Sequence, residues 1–348
     1  MTYGFGIIGT GTIGPFHARA IQTLDNARFV GAYDANADSL TAFGKDFPGK
    51  LYSDLQSMVD DPEISIVTIC TPSALHVEPA LAAIAAGKHV IIEKPLDVTL
   101  ERCDQIIEAA EKKGVVAACV FQNRFIRGAK ILKEAVDEDR FGRLVLGDAY
   151  IKWFRSQDYY DGRAARGTLA LDGGGALMSQ AIHAIDLLQW YMGPVDSVYA
   201  YADTLGHERL DFEDVSVAVL RFASGAMGVI EGSTAVYPGF FKKIEISGVG
   251  GSAVLEEESI TTWSFAEESD KDEAIREEFR DQGDSGGGAA DPTAIDFRLH
   301  AAQFRNLMEH LDGKAELLVD AREARKAVEI ILAIYESADT GKPVQIKG

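Results

Sequence analysis

The sequence predicts an α/β chain: a parallel sheet covered by helices on both faces, then an α+β region with a large open, mostly antiparallel sheet. Three observations predict it. Short apolar, β-branched runs alternate with helical patterns over the first third of the chain. Near Phe121 that rhythm gives way to a series of strand-like runs. The 348 residues suffice for two domains at roughly 100–200 residues each.

The first series runs Gly6–Ile8, a helix over Ile13–Leu24, Phe29–Tyr33, a helix over Ser39–Phe47, Ile64–Cys70, and an alanine-rich helix over Val77–Ala86. His89–Ile92, a helix over Leu100–Lys113 and Val115–Val120 close it. Continuous apolar strands separated by helices indicate a sheet buried on both faces. Residues 1–122 are therefore assigned to the first domain and 123–348 to the second. In the second, Leu144–Phe154, Ser197–Asp203, Val215–Phe222, Ala226–Gly232 and Lys243–Ser247 read as strands, interrupted by one helix over about Ala176–Tyr191. Residues 267–290 are acidic, then glycine-rich, and read as a flexible loop. Helices over Phe297–Leu311 and Ala321–Ser337 end the chain.

With 34 basic and 54 acidic side chains the formal charge is −20, which repels nucleic acid and anionic membranes. Cys70, Cys103 and Cys119 are scattered, with no metal-ligand spacing, which fits a reducing cytoplasm and no structural metal. No leader pattern and no long apolar span is present, so a cytoplasmic protein is expected.

Gly9-Thr10-Gly11-Thr12-Ile13-Gly14 directly follows the first strand and opens the first helix. The first glycine permits the tight turn, the second lets a pyrophosphate approach the backbone, and the third lets the helix pack on the strand. The helix N-terminus stabilises the phosphate charge. Asp34 ends the second strand at the spacing expected of a ribose-binding carboxylate. Such a carboxylate repels a 2′-phosphate, and no arginine follows within Ala35–Leu40, so NAD is expected rather than NADP.

Further motifs follow in order: Thr71-Pro72, His76, Glu93-Lys94-Pro95, Gly173-Gly174-Gly175 and His183-Ala184-Ile185-Asp186. Together with the glycine loop they resemble the Gfo/Idh/MocA family of sugar and cyclitol dehydrogenases. The resemblance spans essentially the whole chain. It implies a Rossmann domain followed by a larger domain with an open sheet, and a homodimer or homotetramer formed through that sheet. It also implies that Thr71, Pro72, His76, Glu93, Lys94 and Pro95 lie near the cofactor and that Lys94 is catalytic.

Lys94 ends a parallel strand, the edge at which ligands of open α/β sheets bind, and its ammonium suits a developing alkoxide. On an α-helix Ser179 and His183 share a face, with Asp186 one turn further on. Many members of the family carry aspartate where this chain has Ser179. A serine cannot hold a proton, so acid–base work falls to His183 and Lys94, the imidazole titrating near neutrality.

Arg155 and Tyr159, with Trp153 and Tyr160 beside them, precede the catalytic helix and suit a ring-shaped or anionic ligand, or plain sheet packing. The resemblance implies a place near the nicotinamide for Arg124, and ion-paired scaffolding is the other reading. His17 reads as structural or near the pyrophosphate. His207, His300 and His310 read as surface or interface groups, and Glu256–Glu258 as a solvated face. The expected activity is hydride transfer between NAD and a secondary alcohol of a sugar, nucleotide-sugar or cyclitol. The alternatives are an NAD-using lyase or glycosidase of the same fold, and a catalytically inactive NAD-binding regulator.

Overall fold

A computed structural model describes residues 2–162, 168–280 and 296–346. The chain divides into two compact units: Met1–Gln122 with Asp296–Val328, and Asn123–Ile295 with Glu329–Gly348.

The first unit holds a six-stranded sheet of β1 (Tyr3–Ile8), β2 (Ala27–Tyr33), β3 (Lys50–Leu51), β4 (Ile66–Ile69), β5 (His89–Ile92) and β6 (Ala117–Cys119). Its order is β3-β2-β1-β4-β5-β6, parallel throughout. The order reverses between β1 and β4, so the ligand crevice of a doubly wound fold lies outside the carboxyl ends of those strands. Connecting helices are α1 (Gly14–Gln22), α2 (Ala37–Asp46), α3 (Leu55–Val59), α4 (Val77–Ala85) and α5 (Leu100–Lys113). Thr99 caps α5 by accepting the Arg102 N–H, and Gly114 ends it in the left-handed region at φ 72°.

The helix Phe297–Leu311 also belongs to this unit, whereas the sequence reading placed it with the second domain. Its Phe304 and Leu307 are fully buried in one core with Phe5, Ile7, Ala18 and Ile21, and the Phe304 ring stacks on Phe5 at 5.8 Å. Burial of each such large apolar side chain contributes about 1.5–3 kcal/mol, which fixes the helix here.

The second unit is an eight-stranded sheet of β7 (Leu144–Lys152), β8 (Val195–Asp203), β9 (Val215–Phe222), β10 (Met227–Ser233), β11 (Lys243–Gly248), β12 (Gly251–Glu256), β13 (Ser259–Phe265) and β14 (Val344–Gln345). The order is β13-β12-β11-β7-β10-β9-β8-β14, antiparallel except for the β7–β10 pair. Its helices are α6 (Arg127–Asp137), α7 (Gln157–Asp161), α8 (Leu169–Asp172), α9 (Ile182–Met192) and α10 (Asp272–Arg280).

Helix α10 occupies part of the stretch expected to be a flexible loop. Asp272 is wholly buried, pairs with Arg140 at 2.7 Å and accepts the Trp263 indole N–H at 2.7 Å, while Phe279 is buried. Residues 281–290 of that stretch, including Gly286–Gly288, lie outside the described residues. The expected solvated face also needs correction. Glu257 is buried, its carboxylate accepting from the Lys242 backbone N–H at 2.8 Å and pairing with the Lys242 ammonium at 2.6 Å.

Candidate functional site

In the first unit the glycine turn leaves β1 with Gly9 at φ 92°, where a Cβ would meet the Cys70 carbonyl oxygen at 2.6 Å. A Cβ on Gly14 would meet the Gly9 carbonyl oxygen at 2.6 Å, so the helix packs as closely as the motif requires. At Gly11 a Cβ would meet nothing within 4 Å: that glycine clears space beside the turn. Helix α1 begins at Gly14 with Pro15 in its first turn, and its N-cap residue Ile13 has no side-chain cap. Asp34 stands just past the end of β2. One of its oxygens accepts from the Thr10 backbone N–H at 2.6 Å and hydroxyl at 2.9 Å, and the other from the Asn36 N–H at 2.8 Å. A left-handed turn, cleared backbone, an N-terminus without a side-chain cap and an anchored carboxylate fit an NAD pyrophosphate and adenosine ribose.

Thr71 and Pro72 follow β4, and Glu93-Lys94-Pro95 follow β5, so these residues stand at the same sheet edge as the glycine turn. The Lys94–Pro95 peptide is cis. His76 is buried, with Nδ1 2.9 Å from the Pro95 carbonyl oxygen and Nε2 3.1 Å from that of Thr71. It therefore braces the two loops.

The Glu93 side chain turns inward. Its Oε1 accepts from His17 Nε2 at 2.8 Å and lies 3.6 Å from His300 Nε2, and its Oε2 accepts from the Lys94 backbone N–H at 3.2 Å. Burial pushes the Glu93 carboxyl up, but the His17 and His300 contacts outweigh it and hold it well below the usual carboxylate range. Burial lowers His17. His17 Nε2 donates to the carboxylate, and the Thr68 hydroxyl lies 2.9 Å from Nδ1. His300 is 1% exposed, so the surface or interface role expected for it is wrong. No partner pattern in the sequence pointed to this cluster.

In the second unit, Gly175 and the helix after it are held by Glu213. The carboxylate accepts from the Gly175 N–H at 3.0 Å, the Leu177 N–H at 2.8 Å and the Tyr335 hydroxyl at 3.0 Å. Burial pushes Glu213 up to about 7 against those bonds. Leu177–Ala181 then form a π turn before α9 begins at Ile182. The i→i+5 bonding widens the row on which the sequence reading set Ser179 and His183, and such turns recur at functional sites. The Ser179 hydroxyl donates to the Gly175 carbonyl at 2.8 Å, and His183 is half-buried on the first turn of α9.

Gln180, which the sequence reading passed over, links the candidate substrate residues. Its Oε1 accepts from Arg155 at 2.9 Å, and its Nε2 lies 3.5 Å from the Tyr159 hydroxyl and 3.4 Å from Ser179 Oγ. Arg155 is 3% exposed, also donates to the Phe154 carbonyl at 2.8 Å, and stacks over Trp153 and Tyr159. His207, expected at the surface, is instead enclosed: Nδ1 is 2.8 Å from Asp214 and Nε2 2.7 Å from the Arg155 carbonyl oxygen. Arg124 resolves toward scaffolding. It makes a bidentate pair with Asp186 at 2.8 and 2.6 Å and lies over the Trp190 ring.

This arrangement defines a dinucleotide-dependent oxidoreductase. The family model for the oxidoreductase family with an NAD-binding Rossmann fold matches residues 3–121, and that of the GFO/IDH/MocA C-terminal domain matches residues 130–254. The myo-inositol 2-dehydrogenase of Thermotoga maritima is 32% identical over 76% of this chain and 78% of its own. The inositol 2-dehydrogenase of Paracoccus denitrificans is 33% identical over 74% and 75%. The WlbA dehydrogenase of Bordetella pertussis, solved with NADH and UDP-GlcNAcA, superposes with a TM-score of 0.90 at 34% identity, covering 100% of this chain and 98% of that one. The chain belongs to the Gfo/Idh/MocA family, as its motifs implied. It is an NAD-dependent oxidoreductase acting on CH–OH groups. Among the described residues no helix is long and apolar enough to cross a membrane.

Proposed function

We propose that the chain interconverts a secondary alcohol and a ketone on a nucleotide-linked sugar acid of the UDP-GlcNAcA kind. The observation that carries the hydride-transfer reading is the sheet edge of the first unit, where the cleared glycine turn after β1, the anchored Asp34 after β2 and Lys94 after β5 all stand at the carboxyl ends of one parallel sheet. The similarity to the WlbA structure over the full chain supports the substrate class.

Gly9–Gly14, Asp34 and the Thr71-Pro72 and Glu93–Pro95 loops hold NAD, which when bound supplies the hydride acceptor. Lys94 donates to the substrate oxygen as negative charge builds there, and His183 takes the hydroxyl proton. Ser179 spends its hydroxyl hydrogen on the Gly175 carbonyl, so the proton falls to His183. Tyr159, Ser179 and Gln180 contact the sugar, and Arg155 acts through Gln180 by fixing which way its amide faces.

We also propose a homodimer or homotetramer formed through the open face of the second unit's sheet. Tyr201 (70% exposed), Val217, Val219 and Met227 line that face, with the Lys152–Glu231 pair supplying charges of both signs for a self-complementary contact. The three cysteines, all buried and none of them in a disulfide, suit a reducing cytoplasm.

The test is NADH formation on UDP-GlcNAcA, myo-inositol and glucose, with Lys94→Ala as the blank. UDP-GlcNAcA is expected to give the highest kcat/KM, and His183→Ala to lower kcat by about 10²–10⁴-fold. Faster turnover of myo-inositol or glucose overturns the substrate class. Near-normal turnover by His183→Ala removes that residue from the proton step.

A further inference from the structure

We propose that Glu93 is a positioning residue: its buried carboxylate, clamped by His17, holds the backbone of Lys94 and so ties the helix opening at the glycine turn to the lysine. His17 is the fourth residue of α1, fully buried, its Nδ1 2.9 Å from Thr68 Oγ1 on β4 and 3.3 Å from Cys70 Sγ just past the same strand. Its Nε2 donates to Glu93 Oε1 at 2.8 Å, while Oε2 accepts the Lys94 N–H at 3.2 Å. One carboxylate therefore spans two elements that must keep register: the helix whose N-terminus faces phosphate, and the turn that carries the ammonium. The His300 ring packs 5.3 Å from that of His17 and closes the cluster from the helix Phe297–Leu311.

Two imidazoles and a carboxylate are also a metal donor set. Here, however, both carboxylate oxygens are taken by N–H donors, and the His17–Glu93 distance is that of a hydrogen bond. Both oxygens of the Glu93 carboxylate are thus committed to hydrogen-bonded support of neighbouring groups.

Glu93→Gln isolates the effect. The amide keeps one acceptor oxygen but places a donor on the other side, so either His17 or the Lys94 N–H loses its partner. The inference rests on Lys94 acting on the substrate oxygen, so Lys94→Ala is run beside it in the full chain. Readouts are kcat on the alcohol most active in the panel above, KM for NAD, NADH affinity by fluorescence, and thermal unfolding. The expected result is a loss of about 10- to 100-fold in kcat for Glu93→Gln, with the changes in KM for NAD and NADH affinity much smaller than the change in kcat and with unfolding still cooperative and above the assay temperature. Should Glu93→Gln not fold, the double substitution His17→Leu with Glu93→Met removes the buried polar pair as a whole, which cores commonly tolerate, and the same kcat loss is expected. A Glu93→Gln enzyme of parental kcat beside a dead Lys94→Ala overturns the inference alone, as does a loss confined to NADH affinity. An active Lys94→Ala overturns the Lys94 reading, and the inference with it.

Discussion

Glu213 occupies the place that a side chain at Gly175 would need: a Cβ there would lie 1.8 Å from the Glu213 carbonyl oxygen and 2.4 Å from its carboxylate. The contact is with backbone as well as with a flexible side-chain end, so a rotamer change cannot relieve it. Gly175→Ala must move the chain that opens the π turn and α9. A cost of about 3 kcal/mol in unfolding free energy is expected, at the upper end for overpacking, together with loss of turnover because His183 rides on α9. Urea unfolding and kcat measure both. A fully active, equally stable Gly175→Ala enzyme would show that the turn tolerates a side chain.

The same carboxylate makes stability depend on pH. Burial raises Glu213 from its usual 4.5 to about 7, so between those values the folded chain holds a proton that the unfolded chain has released. Stability from this group is therefore fully present at low pH and is lost as pH rises from about 4.5 through about 7. The loss is at most about 3.5 kcal/mol at about 1.4 kcal/mol per pH unit. Urea midpoints at about pH 5 and about pH 8 should differ less in Glu213→Gln than in the parent. Identical differences in the two proteins would mean that Glu213 does not titrate in this range.

The legible part of the site is the part built from near neighbours in sequence. The glycine turn, its strand and its helix are contiguous, and Asp34 follows at a spacing that one βαβ unit dictates, so chain order alone placed them. Contacts across long separations left no trace in the pattern. Gly175 and Glu213 lie 38 residues apart, Arg124 and Asp186 62, and His17 and Glu93 76. Histidine looks the same in sequence whether its partner is water or a distant carboxylate, which is why His207 and His300 were expected at the surface. Amphipathic periodicity shows that Phe297–Leu311 buries a face but not which unit receives it. In α10 the charges are dense, and Phe279 and the Asp272 partners Arg140 and Trp263 show that one side is anchored. The π turn over Leu177–Ala181 has no residue signature at all.

Arg124 and Asp186 illustrate the energetic asymmetry of such hidden pairs. Both side chains are 1% exposed, and Asp186 lies on the helix that carries His183. Asp186→Asn removes the charge that offsets the desolvated guanidinium and is expected to cost about 3–5 kcal/mol. Replacing both residues by leucine removes the two charges together and should recover most of that loss. Chemical denaturation of the two variants decides it. A double variant no more stable than Asp186→Asn would show that the pair is worth more than its apolar replacement.

Asp34 should decide which dinucleotide the enzyme prefers. Thr10 donates twice to one of its oxygens and the Asn36 N–H once to the other, so the negative charge is fixed at the end of β2 rather than free to swing away. A fixed carboxylate accepts well from ribose hydroxyls, and it cannot retreat from a 2′-phosphate. Asp34→Ala removes the attraction and the repulsion together. Hydrogen bonds to a charged group contribute about 1.5–3 kcal/mol, so the ratio of kcat/KM for NAD over NADP should fall by about 10- to 100-fold. Thr10→Val removes only one of the Thr10 bonds and should shift the ratio less. Steady-state kinetics with both dinucleotides supply the measurement. An unchanged ratio in Asp34→Ala would place the discrimination elsewhere than at the end of β2.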